Sequence, residues 1–237
     1  MEQKTRQIMK KALLFLNLIF SCALSAQTMA FSVIELKAKD FSEAKVLEDF
    51  DKLFDGVKLE NGSIVLESIE TGSTLGNTHR LAWIYPLGGE MMAEDAIDPL
   101  KGEAFWAKMS NYIEEWGPAH HGRILSWQPT DKEEMKLVHI WDVKAKDPIA
   151  FKKGHDNILK SFKQDFKDRL VGFGTYDINR PNGATHWVLV SGIDQEDHLM
   201  LYDKLQNDSK FIELIQSRGE TEDVSDFAVK HLRVIMN

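Results

Sequence analysis

The stretch ELKAKD (Glu35–Asp40) returns almost letter for letter as DVKAKD at Asp142–Asp147, 107 positions later. Other matches keep that spacing. Gly76, Thr78 and His79 meet Gly183, Thr185 and His186, so NTHRLAWIY (77–85) aligns with ATHWVLVSG (184–192). Nearer the ends, HGRIL (His121–Leu125) resembles HLRVI (His231–Ile235) at a spacing of 110. Matches in the same order at nearly one spacing mark an internal duplication.

The coarse structure repeats with the letters. In the first half FSVIELKAK reads as a strand, and Asp40 as the N-cap of a helix carrying Val46, Leu47, Phe50, Leu53 and Phe54 at helical spacing. GSIVLESIET and THRLAWIYPL read as strands. A second helix sets Phe105, Trp106, Met109, Tyr112, Ile113 and Trp116 on one face, Gly117-Pro118 stops it, and GRILSWQ closes the half. In the second half KLVHIWDVKAK is a strand. Asp147-Pro148 supplies an N-cap with proline at the first helical position. LVGFGTYDI and THWVLVSGI are strands, LMLYDKL and SKFIELIQS helices with Asp208 as a further cap, and SDFAVKHLRVI is the last strand. The expected organisation is α+β: a first βαββαβ unit at 31–130 and a second at 136–237.

Two tandem βαββαβ units resemble the dimeric α/β-barrel superfamily, with both ferredoxin-like sheets in one chain. The resemblance implies an intramolecular pseudo-dimer, with sheets face to face and helices outside. It also implies a cavity suited to small aromatic or polyketide-like molecules, which some members oxygenate or isomerise without a metal; others bind haem through a histidine.

Bulk composition narrows the partners. A net charge of −8 speaks against nucleic-acid backbones. MKKALLFLNLIFSCALSAQTMA, from Met9, has a cationic start, an apolar run and a small-residue exit, which together read as a signal peptide over 1–26. A buried N-terminal helix is the other reading of this run, and it is too short for a stable membrane span. Export, to the periplasm or beyond, is therefore expected. Cleavage would remove four cations and one anion, taking the charge to −11, together with the only cysteine. Cys22 as a lipid anchor is a minor alternative, because Phe20 is bulky where a small residue is usual.

Strand alternation nominates site residues. Leu232, Val234 and Met236 are expected against helices, with His231 and Arg233 toward the cavity and His121 and Arg123 following by pseudosymmetry. Imidazole can move a proton and arginine can clamp an anion, which makes these four the catalytic candidates; solvated strand-end positions are the plainer alternative. His79, His186, Trp83 and Tyr85 are candidate ligand contacts. KAKD reads as a strand-to-helix junction, with Lys37 and Lys144 beside Glu35 and Asp142. No metal site or phosphate loop is evident, and no cofactor is expected apart from the haem alternative. The glycine- and methionine-rich stretch 88–103 reads as a loop or a lid. Three functions follow, in order: binding of a small apolar or aromatic ligand, cofactor-independent oxygenation or isomerisation, and a structural module with a filled interior.

Overall fold

A computed structural model describes residues 27–72 and 75–236; the expected signal segment 1–26, with Cys22, lies outside them. The first half comprises β1 (Met29–Ala38), α1 (Glu43–Phe54), β2 (Ser63–Thr71), β3 (His79–Pro86), α2 (Pro99–Tyr112) and β4 (Ile113–Gln128). The second comprises β5 (Leu137–Ala145), α3 (Pro148–Ser161), β6 (Val171–Ile178), β7 (His186–Gly192), α4 (Gln195–Gln206), α5 (Ser209–Ser217) and β8 (Thr221–Met236). The eight strands form one closed antiparallel barrel in the order β1-β3-β2-β8-β5-β7-β6-β4. Each half contributes four neighbouring strands, and the seams are β2–β8 and β4–β6. The sheets thus join edge to edge, which removes the free edges that two stacked sheets would keep.

The duplication is visible in the pairing. Leu36 faces His79 as Val143 faces His186, and Ser32 faces Trp83 as His139 faces Val190. Thr78 Oγ1 accepts from the Ala38 amide at 2.9 Å, and Thr185 Oγ1 from the Ala145 amide at 3.1 Å. Each threonine hydroxyl also lies 2.8 Å from Nδ1 of the histidine that follows it. The recurring letters therefore encode a junction where one strand leaves and its neighbour begins.

Alternation sorts β1. Phe31 and Val33 point into the barrel with Val138, Ile140, Trp187 and Val229, while Leu36 points outward into a core shared with Val46, Phe50, Phe105 and Met109. The outer core of the second half is built on Phe151, Phe173, Phe162 and Phe211.

Two local expectations are corrected, and the choice between loop and lid at 88–103 is decided. First, Asp40 does not cap α1. Phe41 takes a φ of 63°, the chain turns, and Ser42 precedes the helix without a side-chain cap. Asp147 directly precedes Pro148 and accepts from the Ile149 and Ala150 amides at 3.0 Å each. Asp147→Ala is accordingly expected to cost ~1 kcal/mol and Asp40→Ala less than ~0.5 kcal/mol, measured by urea unfolding. Second, α2 ends at Tyr112, so Ile113 and Trp116 belong to β4. Gly117-Pro118 marks a register shift opposite Glu35, where proline's missing N–H is tolerated. At 88–103 the loop reading holds as far as residue 98, α2 starts at Pro99, and the stretch does not line the barrel cavity. Met91, Met92 and Ile97 pack on the first-half core, and the Met91 carbonyl accepts from the Glu60 amide at 2.8 Å.

Candidate ligand-binding site

The barrel is not filled. A cavity of about 540 Å³ opens at the end where β1, β2 and β5 begin, beside the β4–β5 connector. Its walls are largely apolar: Phe31, Val65, Ile84, Ile124, Ile140 and Trp187 are representative. Roughly 150 Å³ of apolar cavity holds one benzene ring, so the space suits a molecule of about three rings. Asp131, Lys132, Glu133 and Lys136 mix charge signs at the mouth.

Besides Ser63, Thr130 and Arg233, four further polar residues, Glu67, Arg80, Tyr176 and His231, interrupt this lining. Glu67 and Arg80 are buried, with Glu67 Oε2 3.4 Å from Arg80 Nε and Glu67 Oε1 3.3 Å from His231 Nε2. Burial pushes the Glu67 carboxyl up, but Arg80 and His231 outweigh it and hold it below the usual carboxylate range. Burial likewise pulls Arg80 down, and Glu67, Tyr176, Glu35 and Asp142 more than restore it. The guanidinium lies 4.9 Å from the Phe227 ring centroid, a cation–π contact. Its Nε and Nη1 have no hydrogen-bond acceptor among the described residues. Deeper in the barrel, Tyr176 Oη and Ser225 Oγ donate to Asp142 at 2.8 and 3.0 Å. Burial raises the Asp142 carboxyl against those two bonds, and burial with Asp142 nearby pushes the Tyr176 phenol well up.

Of the four catalytic candidates, His231 alone lies on this floor with its side chain against a buried partner. The strand alternation slips at Leu232, an extra residue in the β2–β8 pairing, because Leu66 faces Arg233 while Glu67 faces His231. Arg233 borders the cavity, but it pairs with outward-facing Leu66 and its guanidinium donates to both carboxylate oxygens of Asp51 on α1 at 2.8 Å; Val234 and Met236, opposite Val65 and Ser63, line the cavity. The expected faces of Arg233, Val234 and Met236 are thus reversed. His121 and Arg123 also face out. Arg123 pairs with Asp177 at 2.8 Å, and His121 Nδ1 lies 2.8 Å from Ser32 Oγ, itself 3.0 Å from Tyr85 Oη. Trp83 and His79 share that outer face, and His186 stacks on Phe173 outside β6, ring centroids 5.6 Å apart. The KAKD ion pairs do not form: Lys37 binds Glu114 at 2.9 Å and Lys144 lies 3.6 Å from Glu222, while Glu35 accepts from Asn77.

A second cavity, of about 300 Å³, lies outside the barrel, between β5–β7 and α3–α5. Buried His155 and His198 stand on its wall. Burial pulls His155 down to about 4; burial, with His139 and Arg169 nearby, does the same to His198. The usual value is 6.5, so the unfolded chain takes up protons here that the folded chain refuses. Their contribution is complete above pH 6.5 and is lost as pH falls toward 4. The melting temperature is expected to drop across that window, and His155→Phe to flatten the drop.

No protein-family model matches the sequence, and no curated protein matches it significantly. Solved structures do share the fold. A proposed monooxygenase from Fusobacterium nucleatum superposes with a TM-score of 0.58 at 13% identity, covering 90% of this chain and 96% of its own. Another, from Lactobacillus acidophilus, gives 0.60 at 11%, covering 89% and 97%. An anthrone oxidase-like protein gives 0.52 at 9%, covering 89% and 94%. Barrel topology and these neighbours together give the chain the dimeric α/β-barrel fold, formed within one polypeptide.

Proposed function

We propose that the chain binds a small, mostly apolar or aromatic molecule inside its barrel. The observation that carries this reading is the 540 Å³ interior with apolar walls and a floor where buried Arg80 has unpartnered N–H groups. Trp83 and Tyr85, which a filled interior would have used, pack outside instead. Native mass spectrometry of protein from its source is expected to show a retained organic molecule, and Val65→Trp, which fills the cavity, to lose it. Repeatedly empty preparations that also take up no aromatic probe would contradict the reading. Export belongs to the same proposal and rests on residues 9–26. N-terminal sequencing of the mature protein tests it, and an uncleaved chain in the cytoplasm would count against it.

Oxygenation is the second reading, supported by the His231–Glu67 pair and by what the structural neighbours are thought to do. Glu67 accepts from His231 Nε2, leaving Nδ1 to take a proton from an enol or phenol, and Arg80 steadies the oxyanion. Dioxygen would be the oxidant, an activated CH₂ becoming C=O with release of water. His231→Ala is expected to abolish turnover in a chain that still folds, at a lowered melting temperature because buried Glu67 loses a partner, and His121→Ala to leave turnover unchanged. Equal activity in both variants would dismiss this assignment.

Haem, the cofactor alternative, finds an imidazole but little room. His155 Nε2 has no partner among the described residues, yet 300 Å³ corresponds to about two rings on the benzene scale. A macrocycle would need α3 and α4 to part. Haemin titration reads this directly: a Soret band lost in His155→Ala would support it.

A further inference from the structure

The barrel cavity leaves one constellation unused: Asp226 on β8, His139 on β5 and His198 on α4 form a chain that ends at the second cavity. His139 Nε2 lies 3.1 Å from Asp226 Oδ1, and His139 Nδ1 lies 2.9 Å from His198 Nε2. Asp226 is exposed, whereas His198 is 6% exposed and lines the cavity. Both imidazoles are held neutral near pH 7. Burial pulls His139 down against Asp226, and burial with the neighbouring His139 pulls His198 to about 4.

Neutrality fixes the direction of every bond. Asp226 can only accept, so His139 carries its hydrogen on Nε2. His139 Nδ1 is then a lone pair, and His198 must donate to it from Nε2. That leaves His198 Nδ1 as an acceptor, and it has no partner among the described residues. A buried acceptor without a donor is costly, and protein interiors seldom leave one so. His155 Nε2, on the same cavity wall, is also unpartnered.

The duplication supplies an internal comparison. Val190, which lines this cavity, occupies the place that Trp83 holds in the first half, where the tryptophan packs into the core. At this position the first half has a large aromatic side chain against its core and the second a small aliphatic one. The remaining walls are flat or aliphatic, with Trp141, Phe151 and Tyr202 among them. One cation, Arg218, stands on the wall, stacked 5.1 Å over Phe151 and offset by Asp223.

We infer that this sheet–helix cavity is a second binding site, for an uncharged aromatic molecule of one or two rings that donates an O–H or N–H hydrogen bond to His198. The size follows from about 300 Å³, the flatness from the walls, and the donor from the lone pair that the relay leaves unmatched.

The test compares 2-naphthol with 2-methoxynaphthalene, the same ring system without the donor, by fluorescence titration of the full chain near pH 7. Naphthol is expected to bind at least tenfold more tightly than the ether. His198→Phe should reduce naphthol to the level of the ether and leave the ether within twofold. Val190→Trp, which copies the first half's tryptophan, should abolish both; Leu205→Phe serves the same purpose should that variant not fold. All titrations use a Val65→Trp chain, whose filled barrel takes up neither probe, so that the sheet–helix cavity alone is read. Absence of naphthol binding, equal affinity for the two probes, or binding that survives both plugging variants would each overturn the inference.

Discussion

Glu67→Ala is expected to destabilise the protein by ~3–5 kcal/mol, because it leaves a buried guanidinium without its counter-charge. Arg80 is 8% exposed and Glu67 6% exposed, and the carboxylate is the nearest compensation for the cation. The double variant Glu67→Leu/Arg80→Met should recover most of the loss, since it removes both charges and leaves apolar side chains in an apolar barrel. A double-mutant cycle in urea measures the difference. If Glu67→Ala costs less than ~1 kcal/mol, about the value of an exposed pair, the floor is wetter than its burial implies. The pH dependence carries the same sign. The Glu67 carboxyl is held below its usual value in the fold, so its contribution is present above the unfolded carboxylate value and is lost as pH falls through the depressed one.

The second large effect is expected at the β4–β6 seam. A Cβ on Gly122 would stand 1.8 Å from the Thr175 carbonyl oxygen, and one on Gly174 would stand 2.2 Å from the Arg123 carbonyl oxygen. These obstacles are backbone atoms in neighbouring strands, so no rotamer change relieves them. Gly122→Val must push the two halves apart where they join, at a cost on the order of 3 kcal/mol or more. Unfolding is expected to lose its single cooperative transition, and the interior cavity its affinity for apolar probes. At Gly56 no atom lies within 4 Å of an added Cβ; there only the φ of +73° opposes substitution, so Gly56→Ala should be the milder change.

Much of this architecture was legible in the letters. The offset of 107 reappears as equivalent strand partners, and Asp147 and Asp208 cap the helices that follow them. Asp40 misled because one residue, Phe41, turns the chain before α1 begins. The helical spacing of Phe105 to Trp116 ran on into a strand because the Gly117-Pro118 pair marks a β-bulge here and not a helix stop.

The site was less legible, for a reason particular to closed barrels. Both faces of a strand are covered, so apolar alternation does not say which face is inside. His79 attracted attention through its repeat, yet it lies outside the barrel while its neighbour Arg80 lines the cavity. A usable signal was present: Glu67 and Arg80 are charged residues inside otherwise apolar strands, and such charges require partners. At β8 the reading failed on a single extra residue, Leu232, which shifts the face of each residue that follows it. Bulges of that kind leave little trace in local composition.

The most direct measurement is the electron density inside the barrel of protein crystallised as purified from its native source. Continuous organic density is expected between Trp187 and Arg80, with a polar end toward Arg80 or His231. Ordered water alone, or side chains collapsed into that space in a chain that also fails to take up aromatic probes, would contradict a binding role for the interior.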